Sequence, residues 1–428
     1  MSRYAEILKN EDPRIAQMFN VETETHASGS ALIDDPFPGL ARLLEKAPVY
    51  KGMAASLLGL PENQMFHVPS EVTYTALSFP AVSRALIENE VFSSRVYDSL
   101  PGNAQLGGTI LHKVGLEHRG MRDAIQPMFS PEAAQTWWDD KIIAETVEVL
   151  ISKIEGRGQA DLFLELCARM PVHVVSAGFG IAPDDILPFR MALLGASEHG
   201  ERDADRTSGM ARSRQMMLDV IKARRESPQD DVISRLVTAE VTTPDGGKRP
   251  FTDDEIVGNC RLILLAGGGT TWRQLGITIF ALLNNPEQFE AFKADRSLAP
   301  RVVLESARWH ATDLIFPRRV EQDVTLEGVD IPKGAMLHMC LGAANRDANR
   351  WEDPDRFDIM RPVQRALAFG GGPHSCLGQH VSRQEMVVAL NAIMDRLPNL
   401  RWDPSKPPAR LVGGLFQRGP SALPVVFD

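Results

Sequence analysis

The chain has 428 residues, of which 43% are hydrophobic and 24% charged, so it can form a globular protein with a sizeable core. Its net charge of −10 argues against nucleic-acid binding, which needs a basic face. The four cysteines are scattered, without the close pairs of a disulfide framework or a CxxC site, which indicates a reduced, cytoplasmic protein. We expect no membrane anchor, because no apolar run approaches the roughly 20 residues of a membrane span.

Secondary-structure patterns along the chain change without a linker or an internal repeat. Strand-like patterns predict a β-rich part contributed mainly by residues of about 45–80 and 310–345. Apolar residues at spacings of three and four dominate about 80–310 and 376–398, which predicts helices there. We therefore predict a mainly α protein with a smaller β part, folded as a single domain over residues 1–428.

The longest predicted helix begins after Thr252 and runs to Asn284, far enough to cross a whole domain. Thr252 and Glu255 have the spacing of a capping box. Inside this helix, residues 266–271 read AGGGTT, and each glycine costs about 1 kcal/mol relative to alanine. Either a close helix crossing or a distorted turn beside a ligand would explain the glycines, and the sequence leaves both open.

The segment FGGGPHSCLGQ, residues 369–379, places Cys376 among glycines. Glycines let backbone amides approach a sulfur closely, and the start of the following helix is expected to lower a thiol pKa. Cys376 is therefore a candidate thiolate for a metal or an electrophile, and the alternative is an inert buried cysteine. Neither glycine run has the GK[ST] of a phosphate loop, which argues against nucleotide binding.

Glu305 and Arg308 lie three residues apart in the segment ESAR, so a helix would place them on one face, where they can pair. Taken alone, such a pair is more often an exposed ion pair of negligible worth.

Together these segments resemble the cytochrome P450 superfamily, the haem-thiolate monooxygenases. ESAR resembles the family's ExxR pair, AGGGTT its oxygen-binding kink, and residues 117–122 and 356–362 two further family segments. The cysteine segment matches the signature FxxGxxxCxG through Phe369, Gly372, Cys376 and Gly378. The resemblance covers nearly the whole chain and implies the cytochrome P450 fold, with the long helix crossing over the haem.

The resemblance implies a role for each of these residues. Cys376 would be the axial thiolate ligand of haem b iron, with Phe369 shielding the sulfur and Gly372 and Gly378 admitting backbone amides. The haem would also meet Ala266 and Gly267 in the kink. Its two propionates would be held by His118, Arg122, Arg318 and His374, with Arg319 as a substitute for Arg318. Glu305, Arg308 and Arg361 would form a structural brace beneath the haem.

One position departs from the family pattern. The acid that usually precedes the kink threonine is replaced by Gly269, whereas the threonine is kept as Thr270. In the family, this acid and threonine serve proton delivery. Here the delivery would use water, Thr271 or another group, or it would be inefficient and release peroxide, or the natural oxidant would not be dioxygen.

The expected substrate is an apolar small molecule, such as a terpenoid, steroid or aromatic compound. The candidate pocket comprises the loop of residues 96–109 and the apolar residues Leu262, Leu265, Ala266, Leu314, Ile315 and Phe316. Electrons would come from a ferredoxin served by an NAD(P)H-dependent reductase, because the chain has no flavin or iron–sulfur segment. Lys113, Arg119 and Arg365 are basic residues that could steer an acidic partner, or they are ordinary surface charges.

Three other functions stay open from the sequence. Gly269 would also suit a peroxide-driven enzyme, or one that rearranges or dehydrates its substrate. A haem protein that only binds a ligand is another alternative, and a cofactor-free cysteine enzyme is a third.

Overall fold

The computed structural model describes residues 16, 18–61, 66, 68, 72–100, 108–195 and 203–428, and most of them are helical. The α-helices are α1 (Val21–Ala27), α2 (Phe37–Leu44), α3 (Ala54–Leu57), α4 (Phe79–Ile87), α5 (Val96–Ser99), α6 (Gly115–Ile125), α7 (Pro131–Ala133), α8 (Ala144–Ile154), α9 (Met170–Gly178), α10 (Ile186–Gly195), α11 (Asp203–Glu226), α12 (Val232–Thr238), α13 (Asp253–Asn284), α14 (Pro286–Ala294), α15 (Ala299–Trp309), α16 (Leu341–Ala344) and α17 (Gln379–Arg396). Segments of π-helix, Ala134–Ile143 and Phe163–Cys167, adjoin α7 and precede α9.

In the described part of the chain, the strands are short and lie in five small sheets. They are β1 (Val49–Lys51), β2 (Thr73–Ala76), β3 (Phe92–Ser93), β4 (Gln159–Asp161), β5 (Glu240–Thr242), β6 (Lys248–Pro250), β7 (Ile315–Val320), β8 (Val324–Leu326), β9 (Val329–Ile331), β10 (Met336–Cys340), β11 (Arg401–Trp402), β12 (Leu411–Val412), β13 (Gly419–Pro420) and β14 (Pro424–Val426). The largest sheet has the order β1-β2-β10-β7-β3, in which only β2 and β10 are parallel. A smaller sheet, β11-β14-β4, joins the end of the chain to the segment before α9.

Helix α13 is the central element and is 32 residues long, or about 48 Å. The predicted capping box is present: the Thr252 hydroxyl accepts from the Glu255 amide at 3.2 Å, and the Glu255 carboxylate accepts from the Thr252 amide at 3.0 Å. The helix continues without a break through its three glycines. Trp272 and Leu275, beyond the glycines, are fully buried.

The positions of α6 and β7 decide where two of the predicted cationic residues lie. Gly120 lets α6 pass directly against β5, because a Cβ at this position would overlap the carbonyl oxygen of Thr242. β7 pairs with β10 so that Arg318 lies opposite Leu337. Both elements are thus fixed by backbone contacts, independently of any ligand.

The predicted fold class, mainly α with a smaller β part, is confirmed. The prediction did not include the strands at the end of the chain, β11–β14, which are only two or three residues long and carry too little pattern to be recognised. In the part of the chain that the structure describes, we find no helix long and apolar enough to cross a bilayer. The assignment of the chain to one domain stays a prediction.

Candidate functional site

Cys376 lies in the loop that leads into α17. Its amide donates to the carbonyl oxygen of Phe369 at 2.8 Å, and the amides of Gly378 and Gln379 donate hydrogen bonds toward its sulfur. The Cys376 side chain is exposed to open space, whereas the other three cysteines of the chain are buried. The loop therefore presents this sulfur instead of packing it into the core.

The pKa of the Cys376 thiol is raised, because desolvation by the surrounding protein outweighs the amide hydrogen bonds and the positive charge of Arg122. This corrects the lowered pKa expected from the start of α17. A sulfur that is surrounded by protein yet faces open space lies on the wall of a deep cavity. Such a thiol loses its proton when a metal binds it, since metal ligation requires the thiolate.

The two signature glycines beside Cys376 serve different needs. Gly372 has a φ of +62°, and a Cβ there would overlap the carbonyl oxygen of Leu86. Gly378 has an ordinary φ of −87°, and a Cβ there would meet no heavy atom within 4 Å. The protein itself therefore requires glycine at 372, whereas Gly378 keeps a space clear beside the sulfur.

Two arginines and two histidines, which we call the cation cluster, gather next to this loop: His118, Arg122, Arg318 and His374. His118 and Arg122 lie one turn apart on α6, and Arg318 lies on β7. The rings of His118 and His374 are 4.1 Å apart between centroids, and Nη2 of Arg122 donates to the carbonyl oxygen of Ser375 at 2.9 Å. The structure brings together all four residues from three distant segments.

Among the described residues, no carboxylate forms an ion pair with the cation cluster. Burial first, and then His118, Arg318 and Arg122, lower the pKa of His374 to about 2. Burial and the charge of Arg122 lower the pKa of His118 to about 4. Nε2 of His118 and Nε of Arg318 are buried without a hydrogen-bond partner in the described part of the chain. The cluster is therefore a preformed site for an anion.

Tyr97 is a member of this region that the sequence analysis missed. Its hydroxyl is hydrogen-bonded to Arg318, and Nη1 of Arg318 also donates to the carbonyl oxygen of Pro317 at 2.9 Å. Arg319, the expected substitute for Arg318, points elsewhere and donates to Ser99 at 2.9 Å, because successive residues of a strand point in opposite directions. No motif surrounds Tyr97 in the sequence.

One face of α13 is open over about two turns in the middle of the helix. At both ends of this face the helix is buried, at Asn259 and at Arg273. The residues of the open stretch recur at spacings of three and four, and they are Leu262, Leu265, Ala266, Gly269 and Thr270. Ala266 is exposed although it lies at the centre of the molecule's longest helix, so this face lines a cavity.

The three glycines of α13 separate the two explanations that the sequence left open. A Cβ at Gly267 would lie 3.2 Å from Val175, and one at Gly268 would lie 3.2 Å from Val172, both on α9. These two glycines permit a close helix crossing, and the contact of Gly267 with the cofactor stays a prediction. Gly269 is different, because a Cβ there would meet only Nη2 of Arg190, at 4.0 Å.

The two threonines after the glycines have different surroundings. The Thr270 hydroxyl donates to the carbonyl oxygen of Ala266 at 3.0 Å and lies on the open face. Thr271 is buried and donates to Ser382 of α17 at 3.0 Å. Thr271 is turned away from the cavity by one helical step, so the structure does not support it as a proton donor there.

Glu305 and Arg308 form a buried pair and not an exposed one. Two nitrogens of Arg308 meet the two carboxylate oxygens of Glu305 at 2.8 Å each, and the guanidinium also donates to three backbone carbonyl oxygens between residues 345 and 356. Nε of Arg361 lies 3.4 Å from the same carboxylate. The pair pins the loop before the cysteine segment to α15.

Only some of the residues predicted for the substrate pocket line the cavity. Leu262, Leu265 and Ala266 lie on the open face of α13, and Phe316 is half-buried. Leu314 and Ile315 are instead packed in the core beside α2 and α3, because this part of the large sheet is covered on both faces. In the loop of residues 96–109, residues 101–107 lie outside the described residues.

Of the three basic residues expected to steer a partner, two have an acidic neighbour and one is exposed without an ion pair among the described residues. Lys113 lies 3.7 Å from Glu117, and Arg119 lies 3.8 Å from Asp123 on the surface of α6. Arg365 is exposed beside the cysteine segment. The positive charges of Lys113 and Arg119 are thus locally compensated.

The described site fits a haem. The cation cluster offers donors for two carboxylates, Cys376 offers a sulfur ligand, and Gly378 leaves room for a flat group. The hydrogen bond between Thr271 and Ser382 holds the open face of α13 close to the helix that follows the cysteine. The residues therefore match a cofactor with a metal centre and an anionic edge.

Comparison with known proteins gives a consistent result. A family model described as Cytochrome P450 matches residues 293–412. The chain is 31% identical over 338 residues to the cyclomarin C epoxidase CymV of Salinispora arenicola, covering 76% of this chain and 84% of that protein. It is 28% identical over 384 residues to the pulcherriminic acid synthase of Bacillus subtilis, covering 86% and 93%. The crystal structure of CYP109E1 from Bacillus megaterium with corticosterone superposes with a TM-score of 0.78 at 26% identity, covering 92% and 98%.

We predict that Gly372→Ala lowers the free energy of unfolding by about 1–3 kcal/mol, because alanine combines a strained φ with overlap at Leu86. Urea unfolding of the haem-free protein measures the change. Gly378→Ala is the matched control, and it should leave this free energy within about 0.5 kcal/mol of the wild type. Equal effects of the two substitutions would contradict the assignment.

We also predict that the stability of the haem-free protein depends on pH through His118. Its pKa is depressed in the folded protein, so between about pH 6.5 and about pH 4 the unfolded chain binds a proton that the folded chain excludes. The free energy of unfolding therefore falls as the pH is lowered through this range. His118→Gln should lose less stability than the wild type between about pH 7 and about pH 5 in urea unfolding. The exposed His26 provides the control, His26→Gln, and equal pH dependence in all three proteins would contradict the prediction.

Proposed function

This chain belongs to the cytochrome P450 family and is a monooxygenase of that family, and we propose that it inserts one atom of dioxygen into an apolar small molecule. The second oxygen atom leaves as water, after two electrons and two protons have been supplied. The observation that carries the proposal is the exposed sulfur of Cys376 beside the cation cluster, whose arginines Arg122 and Arg318 form no ion pair with a carboxylate among the described residues.

We infer that the cofactor is haem b, with Cys376 as its axial ligand and the cation cluster on its propionates. When bound, a haem-thiolate supplies the redox chemistry that cleaves dioxygen. Arg122 and Arg318 would contribute charge-assisted hydrogen bonds, and His118 and His374 would gain a partner that raises their pKa values. Glu305 and Arg308 act at a distance, by fixing the loop that precedes the cysteine segment.

The substrate is proposed to lie along the open face of α13. Leu262, Leu265 and Ala266 give that face its apolar character, and Phe316 adds to it from β7. The solved relative with corticosterone shows that a similar chain binds a steroid, which supports a terpenoid, steroid or aromatic substrate here. Thr270 is the hydroxyl on this face that we propose holds a proton for delivery.

We propose that a ferredoxin delivers the electrons, served by an NAD(P)H-dependent reductase, and that the protein works in the cytoplasm. The exposed Arg365 lies on the cysteine side and would contribute positive charge to such a contact. The compensated charges of Lys113 and Arg119 contribute less.

A second candidate function is favoured by Gly269. Without an acid before Thr270, the same fold would suit an enzyme that takes both oxygen and electrons from hydrogen peroxide. Outside its own helix and chain neighbours, a Cβ added at Gly269 would meet only Arg190 within 4 Å. In this open space, the substrate or a water molecule would have to deliver the proton.

The oxidant distinguishes the two functions. We expect the haem-loaded enzyme to convert a substrate faster with dioxygen, NADPH, ferredoxin and reductase than with hydrogen peroxide alone. The measurement is product formed per enzyme under each condition, with substrates first selected by a shift of the haem absorption band. Turnover with peroxide and none with the ferredoxin system would overturn the monooxygenase proposal in favour of the second function.

We further expect Gly269→Glu to raise the ratio of product formed to peroxide released when a neutral substrate is used. The added carboxylate would stand beside Arg190 and next to Thr270, where it can relay protons. Product and peroxide are measured together for wild type and variant, and Gly269→Gln has nearly the same size without the acid. A ratio that does not rise above that of Gly269→Gln would show that the missing acid does not limit the enzyme.

A further inference from the structure

Arg190 on α10 is a buried cation that lacks an anion. Its side chain belongs to a residue that is only 4% exposed, and its Nε and Nη1 atoms have no hydrogen-bond partner among the described residues. Among the described residues, burial is the cause that lowers its pKa, to about 10, and no carboxylate there acts against it. Arg190 is therefore charged at neutral pH inside the protein.

Two other buried arginines show how unusual this is. Arg273, on α13, pairs with Glu24 and donates to the carbonyl oxygen of Gly269. Arg418 donates to several backbone carbonyl oxygens, among them those of Gly413 and Gly414. Removing a charge from water without a partner is strongly unfavourable, so a buried arginine is normally surrounded by acceptors. Arg190 has the burial of these residues without their acceptors.

The guanidinium of Arg190 lies against the middle glycines of α13. A Cβ at Gly268 would be 3.3 Å from Nη1, and a Cβ at Gly269 would be 4.0 Å from Nη2. Apart from the chain neighbours of Gly269 and the backbone of its own helix, no other heavy atom of the described residues lies within 4 Å of this Cβ. Gly269 belongs to the open face of α13, next to Ala266 and Thr270. Because residue 269 has no side chain, the space between the Arg190 guanidinium and the cavity is left open.

We propose that Arg190 binds a carboxylate of the substrate, so that the substrate is an apolar acid and not a neutral molecule. The carboxylate would occupy the space beside Gly269, and the apolar part would lie along Leu262 and Leu265. This inference rests on the proposed function and specifies the substrate class of the same site.

The chemistry of the site favours a carboxylate over a larger anion. Nη1 and Nη2 of Arg190, which face the positions of Gly268 and Gly269, form the planar end of the guanidinium, and such a pair matches the two oxygens of a carboxylate in a bidentate arrangement. A phosphate monoester would bring about two negative charges to a single cation. The space to be filled corresponds to one absent side chain, which suits a group with the size of a carboxylate.

The carboxylate would also stand next to the Thr270 hydroxyl. The chain lacks an acid at position 269, so the substrate would bring an acidic group to the place where the chain has none. The selectivity for acids and the unusual glycine would then have one common cause.

The test is isothermal titration calorimetry on the haem-loaded enzyme. The probes are dodecanoate and abietate, each compared with its own methyl ester, so that one probe is linear and the other polycyclic. For wild type we expect at least one acid to bind roughly 10- to 100-fold more tightly than its ester, as for a charge-assisted hydrogen bond. Arg190→Gln should reduce this ratio to within about twofold. An ester that binds as tightly as its acid, no binding by either acid, or a ratio that survives Arg190→Gln would overturn the proposal.

Two further variants guard against misfolding. Gly269→Glu keeps Arg190 and supplies an internal carboxylate, so it should abolish the preference for each acid over its ester. Arg225→Gln removes an arginine from an exposed ion pair with Asp253 and should keep the wild-type ratio. Acid preference that persists in Gly269→Glu would count against the proposal.

Failure of the proposed function would look different. In that case the acids would still bind with the expected ratio, but no probe would be converted with either dioxygen and the ferredoxin system or hydrogen peroxide. Conversion of the esters without any preference for acids would instead retain the function and reject the inference about Arg190.

Discussion

Buried positive charge is the constraint on which the site of this protein depends. The cation cluster holds His118, Arg122, Arg318 and His374 together although each lowers the stability of the charged form of its neighbours. The fold keeps them in place through backbone contacts, such as the approach of α6 to β5 at Gly120. Such an arrangement is favourable only when an anion completes it, so cofactor binding and folding are coupled here.

The Glu305–Arg308 pair solves a similar problem without a ligand. Its carboxylate neutralises the guanidinium, and backbone carbonyl oxygens take up the remaining donors. A bidentate buried pair of this kind is costly to break from either side, since the remaining partner would be an unpaired buried charge. The Glu305–Arg308 pair is thus neutralised within the protein, whereas the cation cluster lacks a counter-ion among the described residues. Of the two, only the cation cluster can therefore bind an anionic group.

The sequence predicted those parts of the site that are encoded locally. The Thr252 capping box and the length of α13 follow from residues that are neighbours in the chain, and the structure has both. The gathering of the cation cluster was anticipated only through the family resemblance, because its members come from three distant segments, and Arg122 is 253 residues from its hydrogen-bond partner Ser375. The thiol pKa of Cys376 was predicted in the wrong direction, since helix-terminal amides are visible in sequence whereas the desolvation around them is not.

Other features depend on packing that no local pattern reveals. Thr271 and Thr270 are adjacent and chemically alike, yet one faces α17 and the other the cavity, which only the rotation of α13 decides. Leu314 and Phe316 looked equally suitable for a pocket, but Leu314 is covered by other elements. Arg190 has a signal in the sequence, because it is the single charged residue in the apolar segment ILPFRMALLG. Nothing in the sequence indicates, however, that it lies next to Gly269.

The hydrogen bond between Thr271 and Ser382 has a mechanical consequence. It links α13, whose open face lines the cavity, to α17. Helix α17 begins directly after the loop that carries Cys376. Both hydroxyls are carried by long helices, so the bond helps to set the distance between α13 and α17 near Thr271. The bond therefore favours making room for a larger ligand without separating α13 from α17 at this point.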